Sequence, residues 1–496
     1  MKQLNIFILI VFCNLLLSCS RDFLNLYPET TLNEGNYYQS EDEYISLVNG
    51  CYVSLKDNEK VTHWIISELK SDNLARQHST IAGESTRGLI DWFLATPNND
   101  AYSGFWNVSY QGIYSCNKAI SEIESSDDKR WLNLALRERS LGEVYFLRSL
   151  YYFNLVRQFG DIPLVTKVIT GREAVEIKRT AAQEVYLQII EDLQHSHDHF
   201  SKSGSVEEKG RANDAASLGL LGKVYLTIGN YKDAETALHS VIGMGKYSLL
   251  ADYGNLFNPV LKDYTETIFS VQYSEASSAL SNGFIFFNVP YTSKGEITNR
   301  PNVALPIAGS MRPTQDLLDA FEDNDQRKAT AVGFWMGPDW DNVVTEIPYC
   351  AKYKPPQSAV LGWCGDNFPI LRYADILLMY AEVLNNQGKT SEAADFVLKV
   401  RQRAGLTNSL ANLSQSELDE LIEKERQVEF CFENQRWYDL VRRNRALEVM
   451  QKHGEREKSL KTFLVSDTYI MESFKLLSPI PAEQILINKL TQNAGY

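Results

Sequence analysis

Carboxylates and arginines crowd one stretch near the end of the chain, where Glu429 and Glu433 stand four residues apart beside Arg426, Arg436 and Asp439. Glycoside hydrolysis needs two carboxylates flanking a sugar, one of them with a raised pKa. Two acids on adjacent turns of one predicted helix, interleaved with arginines, read instead as an ion-pair lattice, with Trp437 and Leu440 as buried anchors. His195, His197 and His199 with Asp198 raise the question of a metal. On a helix only His195 and His199 share a face, and no HExxH arrangement is present, so a solvated cluster at a helix end is expected. There is no nucleophile elbow and no P-loop. These residues predict a chain with no catalytic residue, no metal site and no cofactor, and hence not an enzyme.

Aromatic residues carry the argument for binding. The chain has 8 Trp, 26 Tyr and 22 Phe. Most must be core, as the helical run Tyr151, Tyr152 and Phe153 illustrates. The informative rings lie in irregular segments. One cluster holds Trp64, Asp72, Asn73, Arg76 and Trp92; another holds Phe334, Trp335, Trp340 and Trp363, with Tyr291 upstream. Flat apolar sugar faces stack on such rings while Asn, Asp and Arg bind hydroxyls. Asn73, Arg76, Trp92, Trp335 and Trp340 are therefore the predicted ligand contacts.

A mostly helical frame must position them. Leu218, Leu221, Gly222, Tyr225, Gly229, Tyr231, Ala234, Leu238 and Val241 follow a helix-turn-helix order, and Leu377, Tyr380, Ala381, Leu384, Gly388, Ala393, Val397 and Val400 repeat nearly the same spacing. Gly222, Ala381, Ala234 and Ala393 fall where helices must approach closely, and Gly229 and Gly388 where the first helix of each pair ends. The pattern resembles the tetratricopeptide repeat, with a looser relative from Trp106 through Tyr152 that ends at Gly160-Asp161-Ile162-Pro163. Between the repeats, turn residues such as Asn258-Pro259, Ser281-Asn282-Gly283 and Gly337-Pro338 break any long period. There Ile268–Tyr273 and Phe284–Val289 read as strands or extended loops. The expected organisation is 1–18 signal peptide, 19–39 lipidated lead, 40–254 helical part with repeat units, 255–366 loop-rich ligand-binding insertion, 367–445 second repeat unit and signature helix, and 446–496 C-terminal segment. The fold class is thus mostly α: a repeat scaffold with an aromatic-containing insertion and few short strands.

Bulk properties narrow the partners. The 496 residues are 44% hydrophobic and 23% charged, the balance of a folded globular protein. A net charge of -14 repels a phosphate backbone, so nucleic acid is discarded as a partner. Lys2 and the apolar run Ile6–Leu17 form a signal-peptide core too short to span a bilayer comfortably. It ends in Leu16-Leu17-Ser18-Cys19, which resembles the lipobox of bacterial lipoproteins and implies acylation of Cys19 and a membrane attachment through lipid alone. With Cys13 removed in the signal peptide, the remaining cysteines, Cys51, Cys116, Cys350, Cys364 and Cys431, form no CxxC pair. Buried thiols are the default, with a Cys350–Cys364 bridge as the alternative.

Several stretches together resemble the SusD/RagB family, the surface lipoproteins of nutrient-uptake systems in Bacteroidota. Cys19 with Phe23-Leu24 and Pro28 matches the family's mature start. Glu143–Arg148 leading into Phe159-Gly160-Asp161-Ile162-Pro163-Leu164 matches its first helix and exit turn, and Leu371–Asp375 opens its late repeat helix. Glu425-Arg426, Glu429-Phe430, Glu433 and Arg436–Arg442 match its most distinctive signature. Pro479-Ile480-Pro481 and Gln492–Tyr496 match its ending, although the family more often has Pro where Ala494 stands. The resemblance implies a non-catalytic lipoprotein of the outer membrane that captures oligosaccharides and passes them to a SusC-like TonB-dependent transporter. Peptide capture by the same machinery is one alternative; a surface glycan hydrolase or a pure assembly scaffold is another. Acidic residues after the lipid-bearing cysteine accompany surface export in such bacteria, and Ser20-Arg21-Asp22 offers a single acid, so an outward-facing position is expected on weaker grounds than attachment.

Overall fold

The computed structural model describes residues 38–59, 61–76, 86–204, 208–262, 265–298, 311–339, 341–355 and 364–496. The signal peptide, Cys19, most of the lead, Trp340 and Trp363 lie outside the described residues. The protein is mostly helical, and its strands pair only two at a time.

Helices α1 (Glu41–Asn58), α2 (Asp100–Glu124), α3 (Leu134–Phe159), α4 (Ala182–Ser203), α5 (Asp214–Thr227) and α6 (Tyr231–Gly243) pack each against the next. Helix α3 is buried on nearly every side, so its charges need partners. Arg148 forks onto Asp192 at 2.7 and 2.6 Å, and Glu143 receives Arg211 at 2.8 and 2.6 Å. The chain leaves α3 at Gly160 with φ +74°, a conformation that disfavours any side chain with a Cβ.

The two repeat-like units form as expected. Helices α7 (Tyr373–Asn386) and α8 (Thr390–Arg403) mirror α5 and α6, and α6 packs on α7. A Cβ on Gly222 would sit 2.6 Å from the Leu238 side chain, which is why this crossing takes glycine. Ala234, Ala381 and Ala393 are each fully buried at equivalent contacts.

Two local expectations are corrected. Thr267–Val271 is a strand, paired with Phe368–Arg372, but Phe284–Asn288 is a short helix. The five residues from Phe284 have no alternation of exposure to favour a strand, and the Asn288 side chain bonds back to the Phe284 carbonyl at 2.6 Å. Likewise Glu429 and Glu433 do not share a helix. Helix α9 (Gln415–Glu429), started by a Ser414–Glu417 capping box, stops at Glu429. Phe432 and Asn434, with φ of 66° and 57°, turn the chain before α10 (Arg436–Arg442) begins. The described cysteines are all buried and unbridged, Cys350 and Cys364 included.

Candidate functional site

The paired carboxylates of the acidic signature sit in a buried ion-pair lattice. Arg372 lies between Glu429 at 2.5 Å and Glu433 at 2.8 Å, and Arg327 and Arg403 also bond Glu429. Lys352 donates to Glu433 at 2.7 Å. Arg327, Lys352, Arg372, Glu429 and Glu433 are sealed from solvent, and the Arg403 side chain is only 4% exposed. Burial would push the Glu429 carboxyl up, but Arg403, Arg372 and Arg327 together hold it well below the ordinary carboxylate range. A carboxylate so held neither gives up a proton near neutrality nor meets a substrate. Trp437 and Leu440 are buried in a separate apolar cluster with Phe93, Met450 and Tyr469, as their anchor role requires.

The histidines divide among separate partners. His197 bonds Asp214 at 2.5 Å, His199 bonds Glu138 at 2.8 Å, and His195 is exposed beside Tyr145. Among the described residues no group of histidines, cysteines and acids is arranged to hold a metal ion.

The face with binding chemistry is built on a hairpin, Val332–Pro338 against Val344–Cys350, in register from Val332↔Cys350 to Pro338↔Val344. Alternation puts Gly333, Trp335 and Gly337 on one side and Phe334 and Met336 on the other. Both of the latter are exposed, Met336 by 64%. A Cβ on Gly337 would meet the Trp335 ring at 2.0 Å, and one on Gly333 would meet the Tyr349 ring at 2.3 Å. The two glycines thus let two rings lie down on the sheet. The Trp335 indole donates to Glu296 at 2.9 Å, and Tyr291 packs with Tyr349 around Ile285, Phe286 and Val289.

A second group of predicted residues adjoins this hairpin. Strand Leu74–Arg76 pairs antiparallel with Met311–Pro313, placing Arg76 opposite Met311 and Ala75 opposite Arg312. Arg312 in turn forks onto Asp339 at the hairpin turn, at 2.8 and 2.5 Å. Arg76 and Trp92 converge over Gly88, whose Cβ position is 3.1 Å from the nearest atom of each. The Arg76 amide donates to Asp91 at 2.6 Å, and Arg87 lies 5.1 Å from the Phe287 ring centre. Burial pushes Asp91 up to about 6, and burial together with the charge of Arg87 brings Arg76 down to about 10.

Other predicted residues are turned inward. Trp64 is fully buried, edge-on to Phe284, Tyr353 and Phe432. Asp72 is gripped by Arg436 at 2.8 Å. Asn73 donates to Glu68 at 2.8 Å and accepts from Gln427 at 3.1 Å, so both ends of its amide are engaged inside the protein. Sequence reasoning missed Tyr349, Glu296 and Arg87. The spacing of Gly333, Trp335 and Gly337 on one strand face was the available signal for the platform; nothing local in the sequence announces Glu296.

A cavity of about 380 Å³ lies elsewhere, between α2 and the C-terminal segment around Gln484–Leu490. Its amides are already paired: Asn107 with Glu483 and Gln484, and Gln484 with Asn488.

Comparison with known proteins settles the family. Residues 342–496 match the SusD family model, and residues 22–226 match a SusD-like model described as starch-binding and associating with the outer membrane. The chain belongs to the SusD/RagB family. A SusD-like protein, P2, of Formosa agariphila is 26% identical over 507 residues, covering 95% of each chain. A SusD superfamily structure from Parabacteroides distasonis superposes with a TM-score of 0.76 at 25% identity, covering 94% of this chain and all of that one. A laminarin-binding SusD-like protein shares the fold, with a TM-score of 0.76 at 23% identity over 92% of this chain and all of the other. The mostly helical expectation is thereby met, and no helix among the described residues is long and apolar enough to cross a membrane.

Proposed function

We propose that this SusD/RagB member captures oligosaccharides at the bacterial outer membrane and passes them to a SusC-like TonB-dependent transporter, without catalysis. The observation that carries the reading is the hairpin face on which Gly333 and Gly337 lay the rings of Tyr349 and Trp335 flat, with Glu296 fixing the indole. A preorganised ring needs little ordering on binding, which favours affinity. Relatives of the same fold named for laminarin binding and surface glycan binding support a carbohydrate as the ligand.

In this reading Trp335, Trp92, Arg76 and Trp340 contact the ligand, Tyr349 extends the platform, and Asn73 supports the strand that carries Arg76. Residues 255–366 are the ligand-binding insertion, and the repeat-like pairs α5/α6 and α7/α8 face the transporter. Cys19 carries the lipid, with the body facing outward. The burial of the Glu429 lattice supports a binding role over hydrolysis.

The test is calorimetry against neutral gluco-, xylo- and manno-oligosaccharides, repeated with Trp335→Ala. Binding that weakens about tenfold or more in the variant, with the melting temperature unchanged, is the expected result. Steady release of reducing ends from any of them, or binding indifferent to Trp335, overturns the proposal.

A further inference from the structure

Arg76 stands apart from the other buried arginines. It is 5% exposed. The remaining buried arginines among the described residues, from Arg139 to Arg436, each hold a carboxylate at 3.1 Å or closer. Arg76 makes no ion pair among the described residues. Asp91 is the nearest opposite charge, but it meets the Arg76 backbone amide and the Tyr469 hydroxyl rather than the guanidinium. Beside it, Arg87 rests on the Phe287 ring and likewise makes no ion pair among the described residues, Asp100 acting on it only as a distant charge.

The charge of Arg87 disfavours the charged form of Arg76, whose side chain lies over Gly88, the neighbour of Arg87, so that a Cβ there would meet the Arg76 Cδ at 3.1 Å. Two like charges kept together, one of them buried without an acceptor among the described residues, raise the energy of the empty protein. The part of Arg76 that lies over Gly88 is its aliphatic Cδ, so the packing there does not use the charge. Trp92 and Arg87 are both half-buried, so the pair opens at the surface next to a ring. A surface with a net charge of -14 otherwise repels anions, which makes this spot a local exception.

We propose that Arg76 and Arg87 seat an anionic group, a carboxylate or a sulfate ester, carried by the glycan that binds the Trp335 face. The inference rests on the reading of that face as a glycan-binding surface. A planar fork of donors suits either anion, and a neutral sugar would leave the repulsion uncompensated.

The experiment compares tetragalacturonate, a sulfated carrageenan tetrasaccharide and neutral laminaritetraose by calorimetry on the purified protein. One anionic probe is expected to bind at least about tenfold tighter than the neutral one, and to weaken several-fold between about 50 and 300 mM NaCl. Whichever probe does so identifies the carboxylate or the sulfate. In Arg76→Gln that preference is expected to fall below about twofold. Because Arg76 has no acceptor among the described residues to lose, its variant should melt at the same temperature or higher; the half-buried Arg87→Gln provides the same readout should the first fail to fold. Laminaritetraose binding without any anionic preference overturns the proposal and leaves glycan capture intact. A preference that survives both substitutions also overturns it. Failure of every probe sinks this inference, and silence on the wider neutral panel as well sinks the function on which it rests.

Discussion

Lys70 offers the most exacting test of the packing around the family signature. Its side chain is buried, with the ammonium 4.5 Å from the Trp437 ring centre and 5.8 Å from that of Phe93, and no hydrogen-bond acceptor among the described residues reaches it. Burial pulls its pKa from 10.5 down to about 7. A drop of this size corresponds to about 5 kcal/mol of disfavour for the charged form, at about 1.4 kcal/mol per pKa unit. The sign follows from proton counting. Between pH 7 and 10.5 the unfolded chain holds the Lys70 proton and the folded chain does not, so stability rises with pH across that window; below 7 the full penalty applies. Lys70→Met keeps the length and removes the charge. With the folded-state pKa at about 7, the net gain near neutral pH is about 4 kcal/mol. Denaturant unfolding of variant and parent at about pH 7 and 9.5 should show that gain shrinking by about 3 kcal/mol, since other groups titrate alike in both proteins. A variant less stable than the parent at neutral pH, or a gap that ignores pH, refutes the reasoning.

Three further outcomes follow from particular contacts. Glu429→Gln leaves Arg327, Arg372 and Arg403 facing a neutral group and should cost about 3–5 kcal/mol of stability by denaturant unfolding, the penalty of breaking a buried pair. Gly222→Ala places a Cβ 2.6 Å from Leu238 and should cost about 1–3 kcal/mol, read in the same assay. Gly337→Ala drives a methyl into the Trp335 ring and should weaken oligosaccharide binding about tenfold by calorimetry, with little effect on melting because the hairpin is a surface element.

Much of the frame was legible before any coordinates. Gly229 and Gly388 close the first helix of each repeat-like pair with φ of 76° and 78°, where the helical period stops. Strand and helix were harder to separate in the insertion: Phe284–Asn288 is too short and too uniformly apolar for either period to show. Glu429 and Glu433 matched the helical spacing of four, yet the turn at Phe432 and Asn434 broke it, because the lattice around Arg372 places each acid by tertiary contact. Of the predicted contacts, Trp335 lies on the hairpin face and Arg76 meets Trp92 over Gly88, while Asn73 and Trp64 are turned inward.

By itself the sequence determined the helical class, the close crossings at Gly222 and Ala381, the structural character of the acidic signature and the family, because periodicity, residue size and motif order act along the chain. The partnership of Trp335 with Glu296, and of Arg76 with Arg87 and Trp92, was decided by the tertiary structure alone. Glu296 and Trp335 are 39 residues apart, and which arginine lacks a carboxylate is a property of three-dimensional neighbours. Local pattern announces that a residue is aromatic or charged; only the folded chain determines whether another side chain has already claimed it.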